Sequence, residues 1–129
     1  MKKNLLASSI ALIALMLLAL PVIAAGPSVH KSVLAGENGT TVILLRVSAG
    51  SSAIYGVTIE DESGSIDDVV APKGWVSIAG DSKAIFRTGD KPIKSGGAIS
   101  LRIVSTSENP TFGVTFKDAK TQIGGKKTI

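Results

Sequence analysis

The chain has 129 residues, one histidine, no cysteine and a formal net charge of +4. Its length is that of one domain. Without cysteine there are no disulfides, no thiol chemistry and no cysteine-based zinc site, and one histidine rules out a histidine-rich metal site. Past the leader, lysines and acids are interleaved, with no basic block except Lys126-Lys127, so the charge does not point to nucleic acid.

In chain order, the first element is a leader. Lys2-Lys3 start it, an apolar run from Leu5 to Leu20 follows, and Pro21 precedes the small residues of "PVIAAG". This is the layout of a secretory signal peptide, so residues 1–24 are expected as a helical leader cut after Ala24 or Ala25. The alternative is an uncut anchor, because the run approaches spanning length. That would be the chain's one contact with a membrane. Removal of 24 residues leaves 105 and lowers the charge to +2, since Lys2 and Lys3 leave with it. The expected location is secreted, extracellular or in the cell envelope.

No helical period follows. Short runs rich in Val, Ile and Thr recur about every ten residues, separated by Gly, Ser, Asp and Asn. Ser28 to Leu34 is the first run, and Gly36-Glu37-Asn38-Gly39 breaks it. Thr41 to Ser48, "TVILLRVS", is apolar enough to be a central strand. Ile54 to Glu60 alternates imperfectly, which suggests a bulge at Gly56. Asp61 to Asp68 reads as a loop and Val69 to Ala71 as a short apolar segment. Trp75 to Ala79 alternates, and Gly80 to Lys83 turns it into a hairpin with Ala84 to Arg87. A Gly/Pro/Lys connection runs from Thr88 to Gly97. Ala98 to Thr106 and Thr111 to Lys117 are two more alternating strands, joined by the turn Ser107 to Pro110.

About seven to nine strands in this length, with no helix, give an all-β class: a small antiparallel β-sandwich over residues 25–123, with a small barrel as the alternative. Residues 124–129, opening on Gly124-Gly125, are expected as a flexible tail.

The order "TTVILLRVS", "AIYGVTIED", "APKGW", "KPIKSGGAISLRIVST", "TFGVTFKDAKTQIGG" resembles the cohesin-like and immunoglobulin-like sandwich modules of secreted prokaryotic proteins. The resemblance implies an extracellular binding or scaffolding module. Dockerin recognition is not carried over, because the chain is shorter than a typical cohesin and has no calcium-loop repeat. The cysteine pair of many immunoglobulin domains is absent too.

Candidate chemistry is sparse. The chain has five aromatic residues, Tyr55, Trp75, Phe86, Phe112 and Phe116. Trp75 with Tyr55 could stack on a sugar, as a flat apolar ring with a polar N–H does. Packing of Trp75 in the core, capped by Pro72-Lys73-Gly74, is the favoured reading. Glu60, Asp61, Glu62, Asp67 and Asp68 crowd one segment and offer oxygen ligands for Ca²⁺, without the EF-hand spacing; a solvated loop is the plainer account. No other cofactor is expected. Asn38-Gly39-Thr40 is a glycosylation sequon in a turn. His30 lacks the G-x-S-x-G context of a hydrolase, and no enzyme is expected.

The expectation is a non-catalytic module for binding, adhesion or scaffolding, with a protein or polysaccharide of the cell surface as partner. Two alternatives stand beside it. One is a filament subunit that forms a homopolymer by donating "GPSVHKSVLAG" to a neighbour, and the other is a carbohydrate-binding module.

Overall fold

The computed structural model describes residues 26–129; the expected leader lies outside the described residues. Nine strands follow one another with no helix among the described residues: β1 (Ser28–Ala35), β2 (Thr41–Ser48), β3 (Gly56–Glu60), β4 (Ile66–Val70), β5 (Val76–Ala79), β6 (Lys83–Arg87), β7 (Ala98–Ser105), β8 (Gly113–Lys117) and β9 (Gln122–Thr128). They form two antiparallel sheets, ordered β1-β2-β7-β4 and β5-β6-β3-β8-β9. The chain is a small β-sandwich.

Period-two alternation builds the core. Ile43, Leu45 and Val47 of β2 and Leu101 and Ile103 of β7 turn inward from one sheet. Val57 and Ile59 of β3, Phe86 of β6 and Val114 and Phe116 of β8 meet them from the other, all at most 1% exposed. Each such side chain contributes about 1.5–3 kcal/mol over its exposed form. With no disulfide available, this packing carries the fold.

The β1–β2 hairpin shows how the turns are made. Asn38 and Gly39 have φ of 55° and 78°, and the Thr40 N–H donates to the Glu37 carbonyl at 3.1 Å. Two successive left-handed residues make a type I′ turn, whose twist suits a hairpin, and Asn and Gly are the residues that tolerate it. The pairing then runs unbroken from Ala35↔Thr41 to Ser28↔Ser48.

Three details depart from the sequence pattern. Gly56 is no bulge: it opens β3 in regular register, and Ile54 instead makes a separate bridge to Ile93, which explains the irregular spacing. The loop after β3 ends at Ser65, because the buried Ile66 draws the chain into β4 beside Ser105. Asp67 and Asp68 are tolerated there because β4 is an edge strand and both face water. Finally, residues 124–128 are not a loose tail but most of β9, with Ile123 and Ile129 packed against the core and Phe112 and Ile129 exchanging two backbone hydrogen bonds of 2.9 Å. The glycines of this segment sit at an irregularity in the pairing, where Gly124 takes φ of 68°.

Candidate functional site

The outer face of the five-stranded sheet carries the clearest site. Inward residues of β6, β3 and β8 fill the core, so Lys83, Ile85 and Arg87, Gly56 and Thr58, and Thr115 and Lys117 turn outward. Gly56 is paired with Arg87 on one side and Lys117 on the other. The two cations therefore flank a residue without a side chain, with their Cα atoms two strand spacings, about 10 Å, apart. The gap is a groove of about 400 Å³, lined among others by Tyr55, Lys83, Ile85 and Thr58.

Three cations line this groove against one carboxylate, Asp118. That carboxylate is tied into its own turn, accepting the backbone N–H groups of Thr121 at 2.7 Å and Lys120 at 2.8 Å. These bonds hold its pKa below the usual 3.8. Arg87 offers a planar fork that matches a carboxylate or phosphate, and Lys117 offers a point charge. Tyr55 and Ile85 add apolar surface against which a ring can lie.

A second depression of about 440 Å³ lies at one end of the sandwich, with Glu60, Glu62, Asn109, Thr111 and Lys126 in its wall. Lys126 pairs with Glu60 at 3.5 Å, and the lining as a whole is acidic, with Asp61 and Glu62 beside that pair. Beneath it lies a polar knot. Asp61, 1% exposed, accepts hydrogen bonds from the Ser63 N–H (3.0 Å) and hydroxyl (2.6 Å), and from the Ser65 N–H (3.1 Å) and hydroxyl. The Ser65 hydroxyl also meets that of Ser105 at 2.8 Å, fastening the β3–β4 turn to β7. Burial pushes the Asp61 pKa up, but the bonds from Ser63 and Ser65 outweigh it and hold the group below 3.8. Asp61 is thus a turn-former with its oxygens already engaged. The spacing Asp61-x-Ser63-Gly64-Ser65 signalled such a turn.

The remaining candidates are dispersed. Trp75 is 7% exposed and its indole N–H donates to the Lys91 carbonyl at 2.9 Å, so its ring belongs to the core. Tyr55 lines the groove without it. Glu60 and Glu62 flank Asp61 at one end of β3, while Asp67 and Asp68 stand on β4 of the other sheet. Asp68 accepts the Val69 N–H at 2.9 Å. Among the described residues no three acidic or histidine side chains converge to hold a metal ion. Asn38 is exposed at the β1–β2 turn, and the Thr40 hydroxyl of its sequon donates to the Glu37 carbonyl at 2.6 Å. His30 faces outward on the other sheet, opposite Arg46.

Sequence reasoning missed Gly56, Arg87 and Lys117 as a unit, because some thirty residues separate each from the next. A local signal existed: Arg87 and Lys117 each follow a core phenylalanine, so alternation turns both outward. Compared with known proteins, the chain matches no family model and no curated protein, and the chemistry of the groove is read from its own residues.

Proposed function

We propose that the chain is a non-catalytic β-sandwich module of the cell surface or its surroundings, and that it binds an acidic polysaccharide along the outer face of its five-stranded sheet. The observation that carries this reading is the row Arg87–Gly56–Lys117, in which two cations flank a buried glycine that brings no side chain between them. Carboxylates spaced along a sugar chain complement it, and the rings can rest on Tyr55 and Ile85. The leader pattern in residues 1–24 supports an exported protein. The binding role is supported by the company the cations keep: His30 lies on the opposite sheet, and Asp118 is committed to a turn.

The test is retention on immobilised polygalacturonate against neutral dextran, at low salt and at about 1 M salt, where exposed charges are screened beyond about 3 Å. Gly56→Gln is the informative variant. A Cβ at position 56 would meet Lys117 Cβ at 3.6 Å and the Phe86 carbonyl at 3.7 Å, ordinary contacts, so the backbone there accepts a Cβ, from which the longer side chain extends into the groove; circular dichroism matching the wild type certifies the variant's fold. Binding is expected to be selective for the acidic polymer, to fall with salt, and to drop in Gly56→Gln and in the Arg87→Ser/Lys117→Ser double variant. Equal retention on dextran, or full retention by both variants, rejects the reading.

A further inference from the structure

The groove continues past the Arg87–Gly56–Lys117 row. Thr58 succeeds Gly56 on the outward face of β3, and Lys83 and Ile85 precede Arg87 on the outward face of β6; all of them line the same depression. It therefore runs along the strands, with β3 as its floor and β6 as one wall. Lys83 and Arg87 are four residues apart on one strand, so their Cα atoms lie about 14 Å apart. A cation stands at each end, and Thr58 and Ile85 between them are uncharged.

Lys83 has a carboxylate for a neighbour. Glu60 is its direct partner in the β3–β6 ladder and faces the same side, and opposite charges in that position attract. The Glu60 carboxylate nevertheless turns the other way. Its Oε2 lies 3.5 Å from Lys126 Nζ, and it lines the depression at the end of the sandwich instead of the groove. Lys126 belongs to β9, on the far side of β8. It reaches Glu60 because Gly113, the β8 partner of Glu60, has no side chain; a Cβ there would run into Lys126 Cε. Glu60 is the one acidic residue in the five strands of this sheet. With Lys126 holding it, Lys83 is in no ion pair among the described residues.

We propose that the groove is a two-ended site for an acidic oligosaccharide lying along β3, with one carboxylate between Arg87 and Lys117 and a later one at Lys83. Lys126 is then a positioning residue, which keeps Lys83 free by holding Glu60. This rests on the reading of the groove as an acidic-polysaccharide site, and adds the direction and the least length of its ligand. A disaccharide carries its two carboxylates on adjacent rings and occupies one end only. Without the Lys126 ammonium, the cation across the ladder from Glu60 is Lys83. The Glu60 carboxylate then takes the place of the ligand's own and repels it. The Lys126–Glu60 pair is exposed and contributes little to folding, so its consequence is confined to one end of the groove.

Isothermal titration calorimetry of the purified protein at low salt, with digalacturonate and hexagalacturonate as probes, tests the proposal. Lys83→Ser is expected to weaken hexagalacturonate about two- to fivefold and to leave digalacturonate unchanged. Lys126→Ala is expected to do the same. Adding Glu60→Gln to Lys126→Ala restores the wild-type affinity, which a loss caused by a loosened β9 would not allow. Far-ultraviolet circular dichroism identical to the wild type certifies each variant's fold. The proposal is overturned if Lys83→Ser or Lys126→Ala leaves hexagalacturonate binding intact, if either weakens digalacturonate equally, or if the double variant stays weak. In those cases a loss of binding in Arg87→Ser/Lys117→Ser still upholds the reading of the groove. A protein that binds neither oligomer overturns both.

Discussion

Replacing Asp61 with alanine removes the acceptor for four hydrogen bonds, and their losses are unequal. Ser63 is exposed, so its N–H and hydroxyl turn to water at little cost. Ser65 is 6% exposed. Its hydroxyl retains Ser105 at 2.8 Å, but its N–H is left in the interior without a partner. Losing a charged acceptor and orphaning one buried donor together cost about 3–4 kcal/mol, a large share of the stability of a domain this size. Midpoint shifts of about 15–25 °C follow. Urea unfolding followed by Trp75 emission at pH 7 measures the loss directly.

The pH dependence gives a second check on the same residue. The Asp61 pKa is lower folded than its ordinary 3.8, so the unfolded chain binds the proton more readily. Stability from Asp61 is complete above that ordinary value and disappears as pH falls through the lower folded one. Asp118 shifts in the same direction, so the wild type alone does not isolate Asp61. The gap between wild type and Asp61→Asn does, and it is expected to narrow from pH 7 to pH 2. A loss below about 1 kcal/mol in Asp61→Ala, or a gap that ignores pH, refutes the account.

Other consequences are open to simple assays. Trp75 is expected to emit at short wavelength and resist acrylamide quenching, and Trp75→Phe, which forfeits the bond to Lys91, should lose about 1 kcal/mol by urea titration. Gly74→Ala should cost about 1–2 kcal/mol, because Gly74 has φ of 86° in the turn closed by the Trp75 N–H on the Pro72 carbonyl, and the new Cβ would lie 2.6 Å from Lys91 Cγ. Phe116→Ala, which opens a void between the sheets, should destabilise by about 3–5 kcal/mol and is readable as a lower thermal midpoint.

The strands that could be read in advance are those whose neighbours impose a two-sided contrast. Ala98 to Thr106 alternates because one face lies in the core and the other turns outward, whereas Thr41 to Ser48 is a nearly continuous apolar run that suits a central strand, and the observed bounds of both agree to within a residue. Segments whose partners decide their state were harder to read. Gln122–Thr128 holds two glycines and two lysines and has little strand preference of its own. It is a strand because β8 offers it a ladder and the core takes Ile123 and Ile129. Ile66 is likewise a lone apolar residue in a polar stretch, and its burial beside Ser105 starts β4.

The candidate site divides the same way. Alternation alone determined that Arg87 and Lys117 face away from Phe86 and Phe116, since successive side chains on a strand point to opposite sides. It also determined the class, because runs of Val, Ile and Thr about ten residues apart can bury their apolar faces only by stacking sheets. Only the tertiary structure decided that Gly56 lies between those two cations and that β5 is left at an edge. Strand order is fixed by which faces fit together across the whole core, and no local stretch of sequence contains that comparison.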